Sequence, residues 1–171
     1  DLAARAKPFA ERDLADLKRF ARDELKLAAL EAWDIAYASE KLRIAHYAYS
    51  DQEVKQYFSE TAVLPGLFRL IETLYGLRIV PESAPKWHPD VRFFGIHDSD
   101  GRLIGQFYLD LYARPSKRGG AWMDDAITRR RTAGGIQTPV AYLNCNFAPP
   151  VGETDGMKRP ALFTHDDVIT L

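Results

Sequence analysis

The chain is 171 residues long, 46% hydrophobic, 12% aromatic and 27% charged, enough for one core of fair size and not for two. Lys and Arg number 23 against 24 Asp and Glu, a net charge of −1, which argues against electrostatic capture of nucleic acid and against a polybasic membrane surface. A single cysteine, Cys145, cannot close an intrachain disulfide, and no apolar run nears the roughly 18 residues of a spanning helix, so a reducing, cytosolic setting is expected.

The chain opens on Asp1 instead of Met, and residues 1–7 read as the end of a helix entered from upstream, so a truncated piece of a longer protein is expected. Ala10, Leu14, Leu17 and Ala21 then recur at helical spacing, predicting an amphipathic helix opened by Pro8. Asp34 is a plausible N-cap for a second helix through Ile35, Ala38, Leu42, Ala45 and Tyr49. Ser50 to Glu53 match a capping box, opening a short helix that should carry Val54, Tyr57 and Phe58. A further helix through Val63, Leu64, Leu67, Leu70, Ile71 and Leu74 is the most apolar and is expected to lie deepest, with Gly76 as its left-handed cap.

From Leu77 onward prolines, β-branched and aromatic residues predict strands. Val91–Phe94 and Phe107–Tyr112 should pair as a hairpin around the turn Asp98–Gly101, whose calcium-loop likeness lapses for want of further acidic ligands. Val140–Phe147 is another strand and Ala161–Phe163 a last short one. Thr164–Asp167 read as a capping box that starts a helix. The expected fold class is α+β, with a helical part over residues 1–76 and a twisted mixed or antiparallel sheet part over residues 77–171.

His46, His88, His97 and His165 include no pair spaced three or four apart, so no self-contained zinc site is expected, and capping explains His165 beside Asp166 and Asp167 better than chemistry does. Asp124 and Asp125 should point to opposite strand faces, one solvated and one structural, and Cys145 should be a small buried apolar residue. Arg129 to Arg131 with Lys117 and Arg118 read as a solvated basic face. More informative is Lys117–Met123: two glycines ahead of Ala121 and Trp122 let another backbone approach, as an edge strand needs if it is to receive an extended peptide. A glycine hairpin with a core Trp explains the same residues.

Trp33–Tyr37 with Ser39–Lys41, Trp87–Phe94, Phe107–Arg114, Lys117–Asp124, Pro139–Leu143, Cys145–Phe147 and Pro160–Leu171 together resemble the thimet oligopeptidase family of zinc metallopeptidases, in the family's order and over nearly the whole chain. The resemblance implies a partial zincin-type catalytic domain that hydrolyses short peptides in its parent protein. In the family, the run similar to Thr164–Leu171 leads into an H-E-x-x-H helix bearing two zinc ligands and the general base. The remaining ligand and the groups that polarise the carbonyl also follow it. Catalytic and metal-binding residues are therefore expected to be none here, with zinc belonging to the parent. The resemblance carries over a peptide-binding edge: Gly119, Gly120, Ala121 and Trp122 are the candidate substrate-binding residues, with Met123 continuing the strand. Expected partners are short peptides and either the C-terminal remainder of the parent chain or a second copy. The alternative is a stand-alone α+β module that captures peptides by edge pairing without a metal.

Overall fold

A computed structural model of the chain describes residues 1–48, 50–154 and 156–171. It falls into two units, Asp1–Val54 and Lys55–Leu171.

In the first unit, α1 (Leu2–Asp23) and α2 (Ile35–Tyr47) share a small core of Leu17, Ala21 and Ala38, ringed by Leu25, Leu27, Leu30 and Leu42. The first helix opens at Leu2 and not at Pro8: Asp1 caps it by accepting from the Ala3 amide at 3.1 Å, and Pro8 sits inside. Residues 2–6 are mostly alanine, leucine and arginine, and their helix propensity outweighs the one backbone bond that the proline forfeits. Only the second half of the apolar stripe is used, since Ala10 and Leu14 are exposed. Asp34 stands at the N-cap of α2, but its carboxylate accepts from the Glu31 amide at 3.1 Å and not from a helical one. Tyr49, placed by sequence on the α2 stripe, lies outside the described residues. The capping box before α3 (Asp51–Lys55) forms as read: Ser50 N donates to Glu53 Oε2 at 3.0 Å and Glu53 N to Ser50 Oγ at 3.3 Å. That helix is shorter than expected, and Tyr57 and Phe58 follow it.

In the second unit, α4 (Glu60–Tyr75) ends at Gly76 in the left-handed conformation, φ 65°, as its sequence requires. It is the most apolar of the helices, yet only Leu64 is buried, while Leu70 and Leu74 are exposed. The expectation that it lies deepest is thus met on one face alone. That face meets a five-stranded sheet of β1 (Arg78–Glu82), β2 (Arg92–His97), β3 (Leu103–Tyr112), β4 (Trp122–Ile127) and β7 (Val140–Phe147), ordered β1-β2-β3-β7-β4. The pairs are antiparallel except β3 with β7, so the sheet is mixed. The β2–β3 hairpin has the expected partners, Phe94 opposite Phe107, and its turn is closed by Asp98 Oδ1 accepting from Asp100 N and Arg102 N.

Between β3 and β7 the chain makes β4 and then a small separate hairpin of β5 (Arg130–Thr132) and β6 (Gly135–Gln137). A two-stranded ribbon, β8 (Glu153–Thr154) with β9 (Met157–Lys158), follows β7. Ala161–Phe163 makes only one bridge, Leu162 to Ser59, flanked by Glu60 N donating to Ala161 O and Phe163 N to Phe58 O at 2.9 Å each, and Phe163 is fully buried against Phe147. The capping box of α5 (His165–Thr170) is complete, Thr164 N to Asp167 Oδ2 at 2.8 Å and Asp167 N to Thr164 Oγ1 at 3.0 Å. The core joins Leu64 to alternate residues of β3 and β7, among them Phe107, Leu109, Leu111, Cys145 and Phe147, with Phe163 beneath.

Candidate functional site

The β4 strand lies at the end of the sheet and pairs with β7 alone, Met123 opposite Leu143 and Asp125 opposite Ala141. In an antiparallel ladder every second residue turns its N–H and C=O away from the partner, so β4 offers a row of such groups outward. The four candidates from sequence do not all lie on it. Trp122 is its first residue, whereas Gly119, Gly120 and Ala121 form the loop that leads in. Gly120 has φ 81°, which a side chain resists, while Gly119 has no other atom within 4 Å of where a Cβ would stand. Nothing in the described chain demands glycine at 119.

The faces of β4 differ. Met123, 71% exposed, and Asp125 face an apolar groove of about 360 Å³ between sheet and α4, lined also by Leu67, Ile71, Leu143 and Leu171. Trp122 and Asp124 take the other face. Asp124 and Asp125 are both exposed, so the expected split into a solvated and a structural carboxylate does not occur. The Trp122 ring has the Arg118 guanidinium 5.6 Å from its centroid, and its indole Nε1 is buried without a partner among the described residues.

Beside Trp122 stands a buried charge cluster that the sequence reading missed. Asp110 of β3, 2% exposed, accepts from both Arg114 terminal nitrogens at 2.7 and 2.6 Å, from Lys117 Nζ at 2.8 Å and from Trp87 Nε1 at 3.0 Å. Burial pushes this carboxyl up, but the hydrogen bonds from Arg114, Lys117 and Trp87 outweigh it and hold it down at about 2. Lys117 is not on a solvated face as expected. Its side chain is 6% exposed, and Nζ also lies 2.9 Å from Asp110 O, 2.9 Å from Tyr112 O and 2.6 Å from Cys145 O. The legible signal was Asp110 itself, a carboxylate inside the apolar and aromatic run Phe107–Tyr112, which once buried needs a cation. Arg129, Arg130 and Arg131 are exposed, as read, and Arg130 belongs to the β5–β6 hairpin.

The loop is held from a second side. Asn146 of β7 donates through Nδ2 to Arg118 O at 2.8 Å and to Gly120 O at 2.7 Å. Farther along, the Tyr112 hydroxyl donates to Glu60 at the start of α4, whose carboxylate also meets Arg92 at 2.5 Å. Burial, then that hydrogen bond, raises the tyrosine pKa. Cys145 is buried and its thiol is pushed up by burial, away from nucleophile character. The histidines are dispersed: His46 and His165 are exposed, His88 accepts from the Asp90 amide, and His97 sits between Glu82 and Gly101 O. Among the described residues no group of three or more His, Cys, Asp or Glu is arranged to hold a metal ion, so these residues do not fit a zinc centre. Among the described residues no helix is long and apolar enough to cross a membrane.

The model of a family described as Peptidase family M3 matches residues 1–171. Oligopeptidase A of Escherichia coli is 50% identical over 173 residues, covering 100% of this chain and 25% of that protein. Oligopeptidase A of Haemophilus influenzae is 49% identical over 172 residues, 99% of this chain and 24% of that one. A probable cytosolic oligopeptidase A of Arabidopsis thaliana is 40% identical over 171 residues, 95% of this chain and 24% of that one. The chain spans about a quarter of the length of these relatives.

Proposed function

Because the chain belongs to peptidase family M3, we propose that it is the peptide-holding sheet of a cytosolic, zinc-dependent endopeptidase that cleaves short peptides, and that substrate backbone pairs with the edge formed by Gly119–Ala121 and β4. The observation that carries this reading is the position of β4, joined to β7 on one side and open on the other. The room above Gly119 and Gly120 supports it, since a backbone laid against the edge needs that room. Main-chain pairing supplies affinity without reading sequence, and side chains on alternating faces, Met123 and Asp125 on one and Trp122 on the other, supply preference.

The residues present bind and orient, and no hydrolytic step is assigned to them. This chain by itself hydrolyses nothing. The reading is tested by amide hydrogen exchange on the whole peptidase with and without a non-cleavable peptide. Slowed exchange at alternate residues of Trp122–Ile127 is expected, and N-methylation of the facing peptide amides should abolish it. Unchanged exchange along β4 under saturating peptide overturns the edge assignment.

A further inference from the structure

The pairing of β3 with β7 slips at one place. Asp110 is opposite Asn144 and Tyr112 is opposite Phe147, so one residue of β3, Leu111, faces two of β7, Cys145 and Asn146. This is a β-bulge, and it frees backbone groups and re-aims side chains. Both groups that tie down the loop before β4 are seated on it. Lys117 reaches in from the loop to the Cys145 carbonyl of the bulge and to the Asp110 and Tyr112 carbonyls opposite. Asn146, the other bulge residue, reaches out to Arg118 O and Gly120 O, using both hydrogens of its amide. One clasp pulls the loop's start into the sheet, and the other fixes the carbonyls that flank Gly119.

We propose that Asn146 and Lys117 are positioning residues for substrate: the bulge on β7 holds the Gly119–Ala121 loop, with its left-handed Gly120, and the first residue of β4 in the path that a peptide backbone must meet. This rests on the reading of β4 as the peptide edge. Neither residue touches substrate, and each acts through the loop. A loop left free would have to be ordered at each binding event, so the clasps raise affinity by removing that cost in advance.

The discriminating variant is Asn146→Asp in the whole peptidase, which keeps size and shape, removes both donors and sets a negative oxygen against two carbonyls. Two neutral hydrogen bonds are lost, so the KM for a short peptide should rise roughly tenfold or more while kcat changes far less. Amides of Trp122–Asp124 in the peptide-free variant should exchange faster than in the parent, at an unchanged denaturant slope. Asn146→Ala should show the same split in smaller degree. Lys117→Met should act in the same direction, and if loss of one of the two cations on buried Asp110 prevents its folding, the two Asn146 variants decide alone. Equal losses in kcat and kcat/KM with KM unmoved, or edge amides that exchange as before, overturn the proposal. The controls separate the two readings: peptide that protects β4 in the parent, with Asn146 variants unaltered, sinks only the positioning role, whereas peptide that fails to protect β4 in the parent sinks the edge assignment and this proposal with it.

Discussion

Two strands of one sheet, β3 and β4, are held in place by opposite means. From Phe107 to Tyr112 the former is buried at nearly every position and is fixed by what its own side chains touch, Phe107 and Leu109 in the core on one face and Asp110 in its charge cluster on the other. The latter is exposed at every residue but Trp122 and buries almost nothing. Its location comes from its single neighbour and from the loop before it, which Lys117 and Asn146 tie to the β7 bulge. With so little side-chain burial of its own, β4 takes its fixing contacts from the segment next to it.

The comparison breaks first where β3 carries charge. Asp110→Ala leaves Arg114 and Lys117 without their carboxylate at a 2% exposed site, and breaking such a pair should cost about 3 to 5 kcal/mol, measured by urea unfolding. Phe163→Ala, emptying the fully buried ring position under β7, should cost a similar about 3 to 5 kcal/mol by the same measurement, with an unchanged denaturant slope. Acid sharpens the point. The folded Asp110 pKa, about 2, lies below the ordinary 3.8, so its contribution is full above the ordinary value and is lost as pH falls toward about 2. An unfolding series over that window should fall more steeply for the parent than for Asp110→Asn. Thr164→Ala removes one arm of the α5 capping box and should cost about 1 kcal/mol. Smallest of all, Met123→Ala on β4 should stay within about 0.5 kcal/mol of the parent in stability. A large loss there would mean that β4 is held by its own side chains after all.

Local signals carried the elements whose ends are chemically marked. Gly76, the turn at Asp98–Gly101 and the two capping boxes stand where their residue types require, and the β2–β3 hairpin follows from two β-rich runs about one turn. Elements decided by tertiary packing were less legible. Pro8 marks a helix start only if nothing upstream is helical, and six consecutive helix formers settle the matter otherwise. The leucines of α4 are too many for one covered face, so the depth of Leu64 and the exposure of Leu70 and Leu74 could not be told apart. The edge strand was legible as a strand and as an edge, but its start was set early, because glycines before a Trp look alike whether they pair or only lead in. The cluster at Asp110 joins side chains from a strand, a loop and the Trp87 segment, and no periodicity links such positions.

The route of the chain through the sheet also bears on the order in which it assembles. After β3 the polypeptide runs outward to make β4, and only later returns as β7 to occupy the place between them. A ribosome therefore releases β4 before its sole neighbour exists, and the pairing of Met123 with Leu143 must wait for synthesis and insertion of the middle strand. Closing that loop is entropically slow compared with zipping the β2–β3 hairpin, whose partners are close in sequence. The hairpin should gain exchange protection early in refolding, and β4 should gain it last, in the same phase in which Lys117 and Asn146 find the bulge. The segment proposed to receive peptides would then be the last part of the sheet to become ordered.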